Sequence, residues 1–260
     1  MPLPLSIPAV VRLPYWLAAL ALSAKVASAQ ITESPDTVQP GHFLVEMDAL
    51  SITTNLHDSA GGTYSAVAVA TTFLTTGLTD RLDLQVGAEM FLSQKYEQGS
   101  FTDRNSGIGD VYLRTKWNFW QDEHSAVAVM PYVRLPTNTG HVGKTSLQGG
   151  LIVPWATHFP GGGTLLAMGQ WDFIRNDDDN GYDAFWSASA ALEQPLTSLL
   201  KLYGEITVGK SSGGAPWAGK LGGGVQVHLS SLFWWDFAIY RGLSRGAPDW
   251  NPVVRLNWGF

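Results

Sequence analysis

The sequence predicts an all-β fold: a transmembrane, antiparallel, up-and-down β-barrel of about twelve strands, with short periplasmic turns and longer extracellular loops. Three observations carry this reading. After residue 40, apolar residues recur at every second position, and helical periodicity is hard to find. Short connections take turns with longer polar ones, as in a chain threaded up and down an outer membrane. The chain also keeps its alternation to the last residue, with Val254, Leu256, Trp258 and Phe260 on one face. A final strand that must pair with the first, so that no open edge meets lipid, has to stay in register to its end.

The first element is a leader. Arg12 precedes the apolar run "LPYWLAALAL", and small residues follow at "ASA", 27–29. A positive start, a short apolar stretch and small residues before a cut predict a signal peptide over 1–29, cleaved before Gln30. The run is broken by Pro14 and is shorter than the ~20 residues of a membrane helix. Residues 30–40 are expected to be a periplasmic N-terminal segment, either a tail or a partial plug, with the barrel over 41–260. Cleavage removes Arg12 and Lys25, leaving 14 basic residues against 22 acidic ones, a net charge of −8. That excludes a nucleic-acid partner, which needs a basic face. Cysteine is absent, so there is no disulfide framework and no thiolate metal site.

Strands are expected to start near residues 41, 63, 82, 107, 125, 144, 164, 183, 201, 217, 232 and 250. The clearest is "LDLQVGAEM", with Leu82, Leu84, Val86, Ala88 and Met90 against Asp83, Gln85, Gly87 and Glu89. "GDVYLRTKWNF" sets Val111, Leu113, Thr115, Trp117 and Phe119 against Asp110, Tyr112, Arg114, Lys116 and Asn118. "KLYGEITV" and "LFWWDFAIY" repeat the scheme, with Glu205 and Asp236 on their inner faces. The short connections are 77–81, 121–124, 158–163 and 230–231. The long ones are 55–62, 93–106, 137–143, 175–182 and 242–249. This threading puts Trp117, Phe119, Trp155, Phe233, Trp235, Trp258 and Phe260 in one aromatic belt. Trp171, Phe173, Trp186, Trp217 and Trp250 form the other. Two belts are what a bilayer selects, because amphipathic rings prefer its interfaces. Aromatic filling of a soluble β-sandwich requires neither belts nor alternating loop lengths.

Function should then be read from the inner face. The threading places Asp48, Arg114, Glu205, Asp236 and Arg255 at mid-depth, and Glu89, Asp110, Arg134, Asp172 and Lys220 nearer the outside. Opposed charges can orient polar solutes at a constriction. The alternative is that they pair across a narrow lumen and plug it, since twelve strands lie between filled small barrels and open porins. No catalytic residue, metal or cofactor is expected. A lipid hydrolase would need a serine and a histidine in contact, and His228 and Ser230 offer that only superficially, at a turn on the periplasmic side. Asp177, Asp178 and Asp179 do not complete a calcium loop, and Asp179-Asn180-Gly181 reads as a hairpin turn. Expected partners are outer-membrane lipid and lipopolysaccharide and a small-molecule solute.

Several phrases resemble one family: "TESPDTVQPGHFLVE" (32–46), "GLTDRLDLQVG" (77–87), "GIGDVYLRTKW" (107–117), "PYVRLPT" (131–137), "GLIVPW" (150–155) and "RGLSRGAPDWNP" (241–252). Spread over nearly the whole mature chain, they are similar to the bacterial outer-membrane proteins of the meta-pathway phenol-degradation family. The resemblance implies a twelve-stranded barrel that moves small, often aromatic, compounds across the outer membrane. It supplies no ligand residues. Trp258 and Phe260 resemble the terminal signal by which the barrel assembly machinery recognises its clients.

Overall fold

The computed structural model describes residues 31–58, 61–143, 145–176 and 181–260. The signal-peptide reading and the Asp177 to Asn180 reading lie outside the described residues. Among the described residues there are thirteen strands: β1 (Phe43–His57), β2 (Thr63–Thr79), β3 (Leu82–Gln98), β4 (Phe101–Gly107), β5 (Val111–Gln121), β6 (Ser125–Leu135), β7 (Gln148–His158), β8 (Thr164–Arg175), β9 (Tyr182–Pro195), β10 (Leu200–Ser211), β11 (Ala218–His228), β12 (Phe233–Gly242) and β13 (Trp250–Gly259). Each pairs antiparallel with its neighbours, and β13 returns to β1, so twelve of them close a barrel. Leu44 faces Gly259 and Thr54 faces Trp250 across the seam. Phe260 extends the pairing beyond β13: its N–H donates to the Phe43 carbonyl at 3.0 Å and its carbonyl accepts from Phe43 N–H at 2.8 Å. The Phe43 and Phe260 rings stack at 5.5 Å.

The thirteenth strand corrects the expected loop at 93–106. There β3 runs on to Gln98, and β4 folds back along it from Phe101 to Gly107. Both halves are polar, so alternation of apolar residues could not reveal them. Tyr96 of β3 makes an edge contact with Phe101 of β4 across the hairpin, and Lys95 and Glu97 pair along β3 at 2.6 Å. Its turn passes through Gly99 at φ +59°, a conformation that glycine adopts without steric cost. Only residues 82–88 of β3 pair with β5 in the barrel wall. At the opposite end, Asp122 closes its turn by accepting N–H groups of His124 and Ser125 at 2.9 and 2.8 Å. Those bonds hold its carboxyl below the usual carboxylate range.

The faces follow the alternation. Leu84, Val86 and Leu113 are 36%, 43% and 41% exposed, while Gln85 between the first two is 5% exposed. Trp117, Trp258, Phe260, Trp171, Trp186, Trp217 and Trp250 all point their rings outward. An apolar exterior with paired backbone throughout is the solution lipid demands. Arginine at the outward position Val86 should cost about 2–4 kcal/mol, whereas Ser187→Arg, directed into the lumen, should be tolerated. Folding titrations into lipid vesicles test this, and equal costs at the two sites would reverse the assigned faces.

Candidate functional site

Strand register assembles the inner face into rows. One row crosses β11, β12, β13 and β1 as Gln226, Asp236, Arg255 and Asp48. Arg255 Nε donates to Asp48 Oδ1 at 2.5 Å and its Nη1 lies 3.7 Å from Glu46 Oε1. Asp236, fully buried, accepts from the Tyr203 hydroxyl at 2.9 Å. A second row crosses β2, β3, β5, β6, β7 and β8 as Thr75, Gln85, Arg114, Tyr132, Gly150 and Asp172. Tyr132 donates to Asp172 across Gly150 at 2.6 Å. A methyl at Gly150 would stand 2.3 Å from that carboxylate, so the bare backbone is what lets the bond pass.

Arg114 sits in an aromatic setting. Its guanidinium lies 4.2 Å above the Phe73 ring and 5.5 and 5.6 Å from the rings of Tyr112 and Tyr132. Phe73 reaches it by lying over Gly87, where a Cβ would come within 2.2 Å of the ring. Cation–π attraction at such distances is worth about 0.5–2 kcal/mol, the larger value where water is scarce.

The chain's own residues 31–39 occupy the space between these walls. Val38 N–H donates to both oxygens of Asp83 on β3, at 3.0 and 3.1 Å. On β5, Asn118 donates to the Pro35 carbonyl at 3.3 Å, Lys116 to the Asp36 carbonyl at 3.2 Å, and Arg114 to Glu33 at 3.2 Å. The far end reaches β10, where the N–H groups of Ile31 and Thr32 donate to Glu205 at 3.0 and 2.6 Å. Glu205 also accepts from Tyr240 at 2.6 Å. A single segment touching β3, β5 and β10 runs through the lumen. It enters at the short-turn end, where it passes so close to Gly77 that a Cβ there would lie 2.1 Å from the Val38 carbonyl.

The ten residues singled out on the inner face divide by their contacts, and do not stand in one ring. Asp48, Arg255 and Asp236 share a row, Arg114 lines one cavity with Asp48 and Arg255, and Glu205 anchors the segment. Glu89, Asp110 and Arg134 form a separate cluster toward the long-loop end, with Arg134 donating to Asp110 at 2.8 Å and to Glu89 at 3.1 Å. Asn138 of the following loop joins it, donating to Asp110 at 2.7 Å. Asp172 binds Tyr132 and Gln170, and Lys220 lies 5.6 Å from the Tyr240 ring. Glu33, Glu46 and Phe73 are further cavity residues that the sequence reading does not single out, and Gln85, placed by alternation on the inner face, joins them. Glu46 stands two residues before Asp48 and so shares its face, a signal the sequence does contain.

Between Arg114 and Arg255 lies a cavity of about 220 Å³, bounded by Glu33, Glu46, Asp48, Phe73 and Gln85 among others. Among the described residues no cluster of histidine and acids could hold a metal ion. His228 stacks on Trp234 and contacts Gln226, while the Ser230 hydroxyl accepts from Leu232 N–H in its turn. No hydrogen bond joins that histidine and serine among the described residues, so the hydrolase reading gains no pair.

Residues 27–258 match the model of the family described as "Putative MetA-pathway of phenol degradation". The chain belongs to this family. An outer-membrane channel from Pseudomonas putida F1 has a similar structure, with a TM-score of 0.67 and 14% identity over 86% of this chain and 97% of that one. Weaker likenesses include the translocator domain of the autotransporter NalP from Neisseria meningitidis, with a TM-score of 0.47 and 11% identity over 84% of this chain and 86% of that one. The monoaromatic hydrocarbon channel CymD gives a TM-score of 0.48 and 8% identity, over 85% of this chain and 88% of that one. No curated protein matches significantly. The fold is the closed antiparallel barrel of the Pseudomonas putida F1 outer-membrane channel.

Proposed function

We propose that this protein is a channel of the outer membrane through which small molecules, aromatic compounds among them, pass without energy input. The observation that carries the reading is the cavity between Arg114 and Arg255, walled by charged and aromatic side chains and narrowed by residues 31–39. Membership of a phenol-degradation family favours aromatic solutes. Charges held where water is sparse act strongly on a passing solute. Reconstitution into planar bilayers, paired with phenol flux into proteoliposomes, tests it. Unitary conductance steps and phenol entry above that of protein-free vesicles are expected. Silence in both measurements sinks the channel reading.

The other partners belong to the same proposal. The long-loop end faces outward toward lipopolysaccharide, and Trp258 with Phe260 is recognised by the barrel assembly machinery. Because Phe260 also completes the seam through its backbone, the useful change is Phe260→Ala, which keeps both hydrogen bonds to Phe43. Its yield in the outer membrane should fall severalfold while refolding in detergent changes little. Equal cellular yields would leave the ring with a packing role alone.

A further inference from the structure

We propose that the cavity at Arg114 is a binding site for a small aromatic monocarboxylate, and that Glu33 is a tethered competitor for the same guanidinium. The inference rests on the channel reading and names its solute class.

Ion pairing singles out Arg114. Arg255 already lies between Asp48 and Glu46, two acids of the wall, so an incoming carboxylate would meet their repulsion. Arg134 is likewise matched by Asp110 and Glu89. Among the described residues, the ion pair of Arg114 is with Glu33, which belongs to the segment and not to the barrel wall. That pair uses Nη1 at 3.2 Å, and the buried Nε of Arg114 makes no hydrogen bond. A guanidinium presents its donors as a fork suited to both oxygens of a carboxylate, and here one tine is idle.

The surroundings supply the rest of the ligand's shape. The Phe73 ring and the side chains of Val253 and Ile31 give the cavity an apolar side. A 150 Å³ apolar cavity suffices for benzene in a protein core, so about 220 Å³ accommodates one ring with a carboxylate. Gln85, 5% exposed and paired in register with Arg114, holds an Oε1 that accepts no hydrogen bond. It is placed to take a ring hydroxyl. A carboxylate that displaces Glu33 takes over its ion pair with Arg114, while Glu33 stays tethered beside the cavity by its neighbours in the segment. It also frees one of the contacts that hold the segment in the lumen.

Benzoate and its neutral isostere benzamide are the probes, titrated into the detergent-solubilised protein, with conductance recorded on the same preparations. If the ion pair to Glu33 holds about nine-tenths of the molecules closed to the ligand, Glu33→Gln should tighten benzoate binding roughly tenfold. Arg114→Gln should abolish it, Arg114→Lys should restore part of it, and benzamide should follow neither change. Glu33 lies outside the strands, so Glu33→Gln decides alone should Arg114→Gln fail to fold. Benzoate held no tighter by Glu33→Gln, or retained by folded Arg114→Gln, overturns the site, even in a barrel that conducts. Benzamide tracking benzoate overturns the carboxylate assignment. Benzoate binding with the expected pattern in a barrel that never conducts keeps the site and overturns the channel.

Discussion

Deletion of residues 31–39 should raise the single-channel conductance several-fold. The argument is one of cross-section. Twelve strands about 4.8 Å apart, tilted by roughly 40°, give a barrel about 12 Å in backbone radius. Inward side chains take about 6 Å of that on every side, leaving an opening about 12 Å across. One extended chain with its side chains is about 10 Å thick, the spacing at which sheets stack. The segment therefore fills most of the opening wherever it runs, from Val38 at Asp83 to Thr32 at Glu205. Its loss should spare the fold, because barrel pairing begins at Phe43. Heat-modifiable migration on gels confirms folding, and planar bilayers give the conductance. A folded deletion form that conducts no better than the full chain would mean that ions take another route.

The barrel was legible because lipid imposes a rule on every residue of a strand. Val86 must face out and Gln85 in, so alternation around "LDLQVGAEM" locates the wall and its faces directly. The same rule made the seam legible at "VVRLNWGF", whose Arg255 and Asn257 turn inward while Trp258 turns out. Beyond the bilayer the rule lapses. Strand β4, "FTDRNSG", has water available to both faces and no apolar period to betray it. Contacts within the lumen were illegible for another reason. Alternation says that Asp48 and Arg255 point inward, but only register says that they meet, and register depends on the stagger of twelve strands. Segment 31–39 shows the gap most clearly. "TESPDTVQ" reads as polar and turn-rich, and apart from the side chains of Thr32 and Glu33 the lumen contacts described use its backbone N–H and C=O groups, which carry no sequence signal.

Replacing both cavity cations, as Arg114→Gln with Arg255→Gln, should turn a conducting pore strongly toward cations. Glu33, Glu46 and Asp48 line the same cavity as the two arginines, so the native site is nearly balanced. The double change leaves the three acids unopposed. At an effective dielectric constant near 20, one unit charge 4 Å from the ion path contributes about 4 kcal/mol. Removal of two positive charges therefore outweighs the modest selectivity that a wide, water-filled pore would show. In a salt gradient the reversal potential should move toward the cation equilibrium value, and phenol flux, which carries no charge, should change far less. Stability sets a limit, since stripping one partner from a buried pair costs about 3–5 kcal/mol. A companion variant handles that cost: Arg255→Gln with Asp48→Asn removes both members of the 2.5 Å pair and should hold selectivity near the native value. If the double arginine variant conducts with an unchanged reversal potential, Arg114 and Arg255 do not face the ion path. If the companion shifts as far as the double variant, the response follows lost packing and not lost charge.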